Sequence, residues 1–199
     1  MRFLLILLFI APLVTSCAPV PNSEPDNTST AFTPQYLGNV STIYGAGAKI
    51  AKDKSGLYVA SNITWKDSLG ALHSLDELRG NVIVLNFWAT WCQYCQKELP
   101  DLQAISEEYA DQNVVVIGVS VDKKINDFEA FEQAQFFADS TVKVKFQIVV
   151  DPPATSYFNY GASSTLPWSF IIDAGGHIRT TFQGEPTKKQ LMDAIEQIL

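Results

Sequence analysis

The sequence predicts an α/β domain over residues 59–199, a central mixed sheet flanked by helices. Three observations predict it. Two apolar runs, 82–87 (broken only by Asn86) and 114–119, have the composition of strands covered on both faces. Each is followed by apolar residues at spacings of three and four, the pattern of an amphipathic helix. The chain then closes with a hairpin and a capped helix.

Taken in order, Ile63–Lys66 and 71–75 flank Asp67, Ser68, Leu69 and Gly70, a polar turn ending in glycine, so a hairpin is expected there. Residues 75–80 form a short helical turn closed by Gly80. The run 82–87 is the central strand, and Leu99, Leu102, Ile105 and Tyr109 mark the buried face of the next helix. A second buried strand follows at 114–119. Phe128, Phe131 and Ala134 predict another amphipathic helix with its aromatic stripe in the core, and 146–150 a third strand. Residues 169–173, the turn Ala174, Gly175, Gly176, and Ile178–Gln183 make an antiparallel hairpin. Thr187 and Gln190 form a capping box for a terminal helix with Leu191, Ile195 and Ile198 on one face. About 140 residues suffice for one core.

The region before residue 59 has a different character. Met1 and Arg2 precede an apolar stretch, 3–14, that is shorter than the ~20 residues a membrane-spanning helix needs and fits the core of a signal peptide. The expected division is a leader at 1–16, a flexible tether and unassigned extension at 17–58, and the folded domain from 59. Val14, Thr15, Ser16 and Cys17 resemble a bacterial lipobox, in which Cys17 carries the lipid and begins the mature chain. Ordinary cleavage after Ala18 is the competing reading. The shortness of the leader and the cysteine directly after a small residue favour the lipobox. Residues 18–34 are rich in Pro, Asn, Ser, Thr and acids with almost nothing to bury, as in a tether. Residues 36–60 contain strand-like pieces broken by glycines and remain unassigned.

The 199-residue chain has a formal net charge of −7. Loss of Arg2 with the leader leaves 13 Lys and Arg against 21 acids, a charge of −8. With no basic run, nucleic acid and anionic headgroups are not expected partners, and any membrane attachment is by lipid.

Cys92 and Cys95, separated by Gln93 and Tyr94, sit where the central strand should give way to a helix, a context that points to redox chemistry. Zinc ligation and a structural staple are the alternatives. A structural zinc needs about four ligands, and only Cys17, His73 and His177 remain, so no metal site is expected. A staple across so short a loop stabilises little. If Cys17 carries lipid, Cys92 and Cys95 form one self-contained pair.

The segment 86–100, Asn-Phe-Trp-Ala-Thr-Trp-Cys-Gln-Tyr-Cys-Gln-Lys-Glu-Leu-Pro, strongly resembles the active-site segment of the TlpA/ResA-like family of exported thiol-disulfide oxidoreductases. The resemblance runs from the hairpin near Ile63 to the terminal helix and includes Leu166 and Pro167. It implies a thioredoxin-like fold with an N-terminal hairpin and a central insertion. It also implies a redox-active Cys92–Cys95 disulfide in place of a separate cofactor. A peroxiredoxin, a fold relative, would have a different cysteine setting.

The residues support this physically. Cys92 falls just before the first turn of a helix, where free N–H groups and the dipole favour a thiolate, which suits an attacking nucleophile. Cys95, one turn deeper, should be more buried and resolve the mixed disulfide. Where cytoplasmic thioredoxins have a buried aspartate, this chain has Asn86, and an amide cannot act as a base. Glu98, three residues after Cys95, is on the same helical face. The resemblance implies a proton-handling role for it, against the alternative of a solvated first-turn acid. The resemblance also implies a cis Leu166–Pro167 peptide opposite the dithiol, with Leu166 backbone groups available to an extended substrate. Trp168 stands where many relatives have threonine. Trp91 is expected in the docking surface and Trp88 in the core. Pro100 is expected to kink the helix, and His73 and His177 to be solvated.

The implied activity is reduction of disulfides in exported proteins, such as haem-attachment cysteines of apocytochrome c or copper-site cysteines. The implied setting is the bacterial cell envelope, with electrons from a membrane donor of the DsbD/CcdA type. Gln93 and Tyr94 depart from the dipeptides common in these reductases, which leaves oxidase or isomerase activity open. A lipid-anchored module that senses redox state or holds copper without turnover is the reading from a different class.

Overall fold

The computed structural model describes residues 40–199 except Ser68 and 124–126. The expected leader, Cys17 and the tether to residue 39 lie outside the described residues.

Among the described residues, ten strands and four α-helices follow one another. The strands are β1 (Val40–Ala46), β2 (Ala51–Lys52), β3 (Tyr58–Val59), β4 (Ile63–Lys66), β5 (Leu72–Ser74), β6 (Val82–Trp88), β7 (Val114–Ser120), β8 (Gln147–Val150), β9 (Trp168–Ile172) and β10 (Ile178–Gln183). The helices are α1 (Gln93–Glu108), α2 (Asp127–Phe136), α3 (Thr155–Asn159) and α4 (Lys188–Glu196). Eight strands form one mixed sheet in the order β10-β9-β6-β7-β8-β1-β4-β5, and β2 pairs with β3 in a small second sheet. The architecture is the thioredoxin-like α/β fold that the sequence predicts.

Every residue of β6 and β7 is buried, because each strand is paired along both edges and covered on both faces. β6 runs parallel to β7 and antiparallel to β9, with Asn86 opposite Ser169 and Phe87 opposite Trp168. Phe87 is fully buried among Tyr157, Tyr160 and Phe170, with ring centroids at 5.7, 5.4 and 5.9 Å. Such contacts contribute about 0.5–1.5 kcal/mol each beyond area burial, and they hold the strand that carries the dithiol. On β7, Gly118 leaves room for Trp88: a Cβ there would lie 2.8 Å from Ile148 Cδ1 and 3.1 Å from Trp88 Nε1. Trp88 is accordingly a core residue, its ring 5.7 Å from Phe137.

The expected hairpins are both present, as β4–β5 and β9–β10. Thr187 and Gln190 form the reciprocal capping box of α4. Pro100 lies inside α1, which continues through it to Glu108.

Three expectations are corrected. Among the described residues the sheet begins at Val40, inside the 17–58 stretch expected to be tether and unassigned extension. β1 pairs parallel with β8 and antiparallel with β4. Its Ser, Thr and Gly content hides it in the sequence, since pairing on both edges rather than an apolar run makes it a strand. After it, β2 and β3 fold back on the C-terminal hairpin, with the Ala60 N–H donating to Gly176 O at 3.0 Å.

Phe128 does not share the buried face of α2. It is 67 % exposed, while Ala130 and Ala134, one turn apart, and Ala138 in the following π-helical turn Phe137–Val142 are buried. Phe131 packs partly against the core. Small residues let this helix approach the sheet closely, so the aromatic stripe is not its inner face.

The histidines are paired rather than simply solvated. His177 Nε2 lies 2.9 Å from Asp53 Oδ2 and joins the β2–β3 loop to the β9–β10 turn. Hydrogen bonds, first from the Ser55 hydroxyl and then from His177 and the Ser55 and Leu57 N–H groups, hold the Asp53 carboxyl at about 2, below its usual value, against the opposing desolvation. His73 Nε2 lies 3.1 Å from Asp67 Oδ2 across the β4–β5 turn. Among the described residues, no helix is long and apolar enough to cross a membrane.

Candidate active site

β6 ends at Trp88, and after three intervening residues Cys92 caps α1. Cys92 has extended backbone angles, its carbonyl accepts from Gln96 N–H at 3.1 Å, and its Sγ accepts from Cys95 N–H at 3.2 Å. The apolar strand and the helix that follows thus put one sulfur among the free N–H groups of a helix N-terminus. Cys92 and Cys95 are joined in a disulfide with a Cα–Cα separation of 5.2 Å. Cys92 keeps 6 % of its surface exposed and Cys95 none, the difference expected of an attacking and a resolving sulfur.

Trp91 precedes the pair and Tyr94 lies between its cysteines, and the two rings are 69 % and 59 % exposed beside the disulfide. Lys97 Nζ stands 5.5 Å from the Tyr94 ring centroid. The cis Leu166–Pro167 peptide precedes β9, whose first residue is opposite Phe87 near the end of β6. The loop before it is tied at Thr165, whose carbonyl accepts from Tyr157 Oη at 2.7 Å and whose Oγ1 accepts from Gln183 Nε2 at 2.9 Å. Trp168 Nε1 donates to the same oxygen at 3.3 Å, and its ring stacks 6.0 Å from Phe170.

Glu98 is not a solvated first-turn acid: it is 1 % exposed. Ser169 Oγ donates to its Oε1 at 2.6 Å and Asn86 Nδ2 to its Oε2 at 3.1 Å. Asn86 also donates to Ser169 Oγ at 2.9 Å, so the three side chains close a ring across β6, β9 and α1. Burial pushes the Glu98 carboxyl up to about 7, and nearby Glu185 and Asp101 push the same way. The hydrogen bonds from Ser169 and Asn86 oppose this only in part. A carboxyl group that titrates near neutrality can both take and return a proton.

Ser169 escapes a sequence reading that looks for acids and bases. The available signal is a polar residue inside the apolar run 168–172, matching Asn86 inside 82–87. Asp122 and Thr90 are a second unpredicted polar pair beside the dithiol. Asp122 follows an apolar strand and reads as its ordinary polar end.

Fold and site together define a thioredoxin-fold thiol-disulfide oxidoreductase. Residues 58–181 match the model of the AhpC/TSA family. The thiol-disulfide oxidoreductase ResA of Geobacillus thermodenitrificans is 31 % identical over 160 residues, covering 79 % of this chain and 86 % of that protein. ResA of Bacillus thuringiensis is 30 % identical over 139 residues, covering 70 % and 76 %. Among solved structures, StoA of Bacillus subtilis is 28 % identical with a TM-score of 0.54, covering 68 % of this chain and 97 % of that one. The chain belongs to the AhpC/TSA family of thioredoxin-fold proteins and, within it, to the group of ResA-like thiol-disulfide oxidoreductases.

Proposed function

We propose that this oxidoreductase reduces disulfides of exported proteins in the bacterial cell envelope. The observation that carries the reading is the buried Glu98 carboxyl one helical turn behind Cys95. In the reduced enzyme, the Cys92 thiolate attacks one sulfur of a substrate disulfide. A mixed disulfide forms and one substrate thiolate leaves. Glu98 takes the proton from Cys95, whose sulfur attacks Cys92 Sγ. The second substrate thiolate leaves, the Cys92–Cys95 disulfide closes, and two electrons have passed to the substrate.

The reductive direction has a physical support. A strong dithiol oxidant is one whose reduced form is stabilised, and an ionised Glu98 opposes a thiolate beside it. Trp91, Leu166 and Pro167 form the docking surface for an extended substrate segment. Apocytochrome c and copper-site cysteines are the substrate classes that the family resemblance suggests. A DsbD/CcdA-type membrane protein is the electron donor it suggests. The lipobox supports anchoring through lipid on Cys17, and recovery of a Cys17→Ala chain with the membranes rather than in the soluble envelope fraction would contradict that anchoring.

Cys95→Ser should trap the mixed disulfide. Mixed with an oxidised substrate protein after prior reduction, this variant is expected to give an adduct on a non-reducing gel that dithiothreitol releases. Cys92→Ser should give none. The reverse pattern would exchange the roles of the two cysteines. Insulin reduction that stops after one equivalent despite an excess of reductant would favour the non-turnover module.

A further inference from the structure

The loop between β6 and Cys92 is gripped at one residue by three elements. Asp122, just after β7, is 1 % exposed. Its carboxylate accepts the Thr90 N–H at 2.9 Å, the Thr90 hydroxyl at 2.8 Å and the Ser120 hydroxyl at 2.8 Å. The Thr90 carbonyl accepts from Gln96 Nε2 of α1 at 2.7 Å, and Thr90 Oγ1 accepts from Gln133 Nε2 of α2. Thr90 therefore uses its N–H, its carbonyl and both hydroxyl functions, two residues before the nucleophilic sulfur.

We infer that Thr90 and Asp122 act as one positioning unit that sets where Cys92 Sγ lies relative to the N-terminus of α1. The inference rests on Cys92 being the reactive sulfur. A buried carboxylate with its donors in place is strongly tied to its geometry, because loss of one donor leaves part of its hydrogen-bonding capacity unsatisfied in a site closed to water. This ties the backbone at Thr90 to the end of β7. The Cys92 N–H then closes the short loop on Ala89 O at 3.1 Å, and its sulfur meets the Cys95 N–H. Stabilisation of a thiolate by these donors depends on its distance from them, so looseness on the order of 1 Å in the supporting residues is felt at the sulfur. The hydrogen bonds of Thr90 and Asp122 go to neither sulfur, and the two residues act through the loop.

The test reads Cys92 itself. In the Cys95→Ser background, the pH midpoint of Cys92 alkylation by iodoacetamide is measured in the folded protein. Thr90→Val keeps the shape and the N–H but removes the hydroxyl, and changes no charge. It is expected to raise the midpoint by about one pH unit, a tenfold loss of thiolate below the midpoint. Thr90→Ser should restore the parent value. Glu98 is present in all of these proteins, so its titration does not separate them. Asp122→Asn should also raise the midpoint, because its amide sets a donor against Thr90 or Ser120.

A Thr90→Val midpoint equal to the parent's, with only a lower melting temperature, would overturn the inference. So would an Asp122→Asn midpoint that falls, which is the sign of a through-space charge effect. If Asp122→Asn does not fold, the valine and serine variants still decide. Alkylation needs no protein substrate, so this result stands apart from the success or failure of the reductase reading.

Discussion

Glu98→Gln is expected to slow disulfide reduction at pH 7.5 by about 10²-fold, the low end of what a positioned general base contributes. The substitution is nearly isosteric. Asn86 can still donate to the new carboxamide oxygen, and the Ser169 hydroxyl can turn to accept from its nitrogen, so the ring across β6, β9 and α1 keeps its shape. What is lost is the ability to hold a proton. With its carboxyl at about 7, Glu98 is mostly protonated at pH 6 and mostly ionised at pH 8. The base form therefore grows as pH rises, and the wild-type rate should climb through a step near pH 7. In the glutamine variant the step disappears and the remaining rise follows the cysteines alone. Insulin reduction from pH 5.5 to 8.5 reads both effects, and an unchanged profile would remove Glu98 from proton transfer.

The same residue should make the native protein less stable in alkali than in weak acid. A carboxyl raised from 4.5 to about 7 binds its proton more tightly in the folded state. Between those values the folded chain holds more protons than the unfolded one, so stability falls as pH rises through the interval and levels off above 7. The size is about 3 kcal/mol for a shift of this order. Glu98→Gln has no such titration, so at pH 8 it should be the more stable protein, by up to that amount, with little difference at pH 5. Urea unfolding of the two oxidised proteins at both pH values measures this. Because the two are compared with each other, the histidine pairs with Asp53 and Asp67 largely cancel. Those aspartates are held below their usual range, so their contribution is present above about pH 4 and is lost in stronger acid, outside this window. Equal pH dependence in the two proteins would mean that Glu98 is ionised without penalty in its burial site.

These expectations rest on parts of the molecule that differ in how well the sequence shows them. β6 and β7 are plain because a strand covered on both faces must be apolar along its whole length. The dithiol is plain because two cysteines at the end of such a strand have few other uses. β1 is hidden because its order comes from β8 and β4, pairings distant in sequence, and its residues carry no apolar run. α2 misleads because close packing on the sheet selects Ala130 and Ala134, while Phe128 faces outward. Glu98 is visible by its spacing from Cys95, but its burial is not. That depends on Ser169 and Asn86 meeting across a strand register that spacing within α1 does not contain. Asp122 and Thr90 are hidden for the same reason, since 32 positions separate two side chains in direct contact.

The reductase reading is tested most directly by the reduction potential of the Cys92–Cys95 pair, measured at pH 7 by equilibration with a thiol–disulfide buffer of known poise. A value in the thioredoxin range, about −270 mV or lower, is the predicted result. A value near −120 mV, about that of a strong dithiol oxidant, would contradict it and assign the protein to the insertion of disulfides.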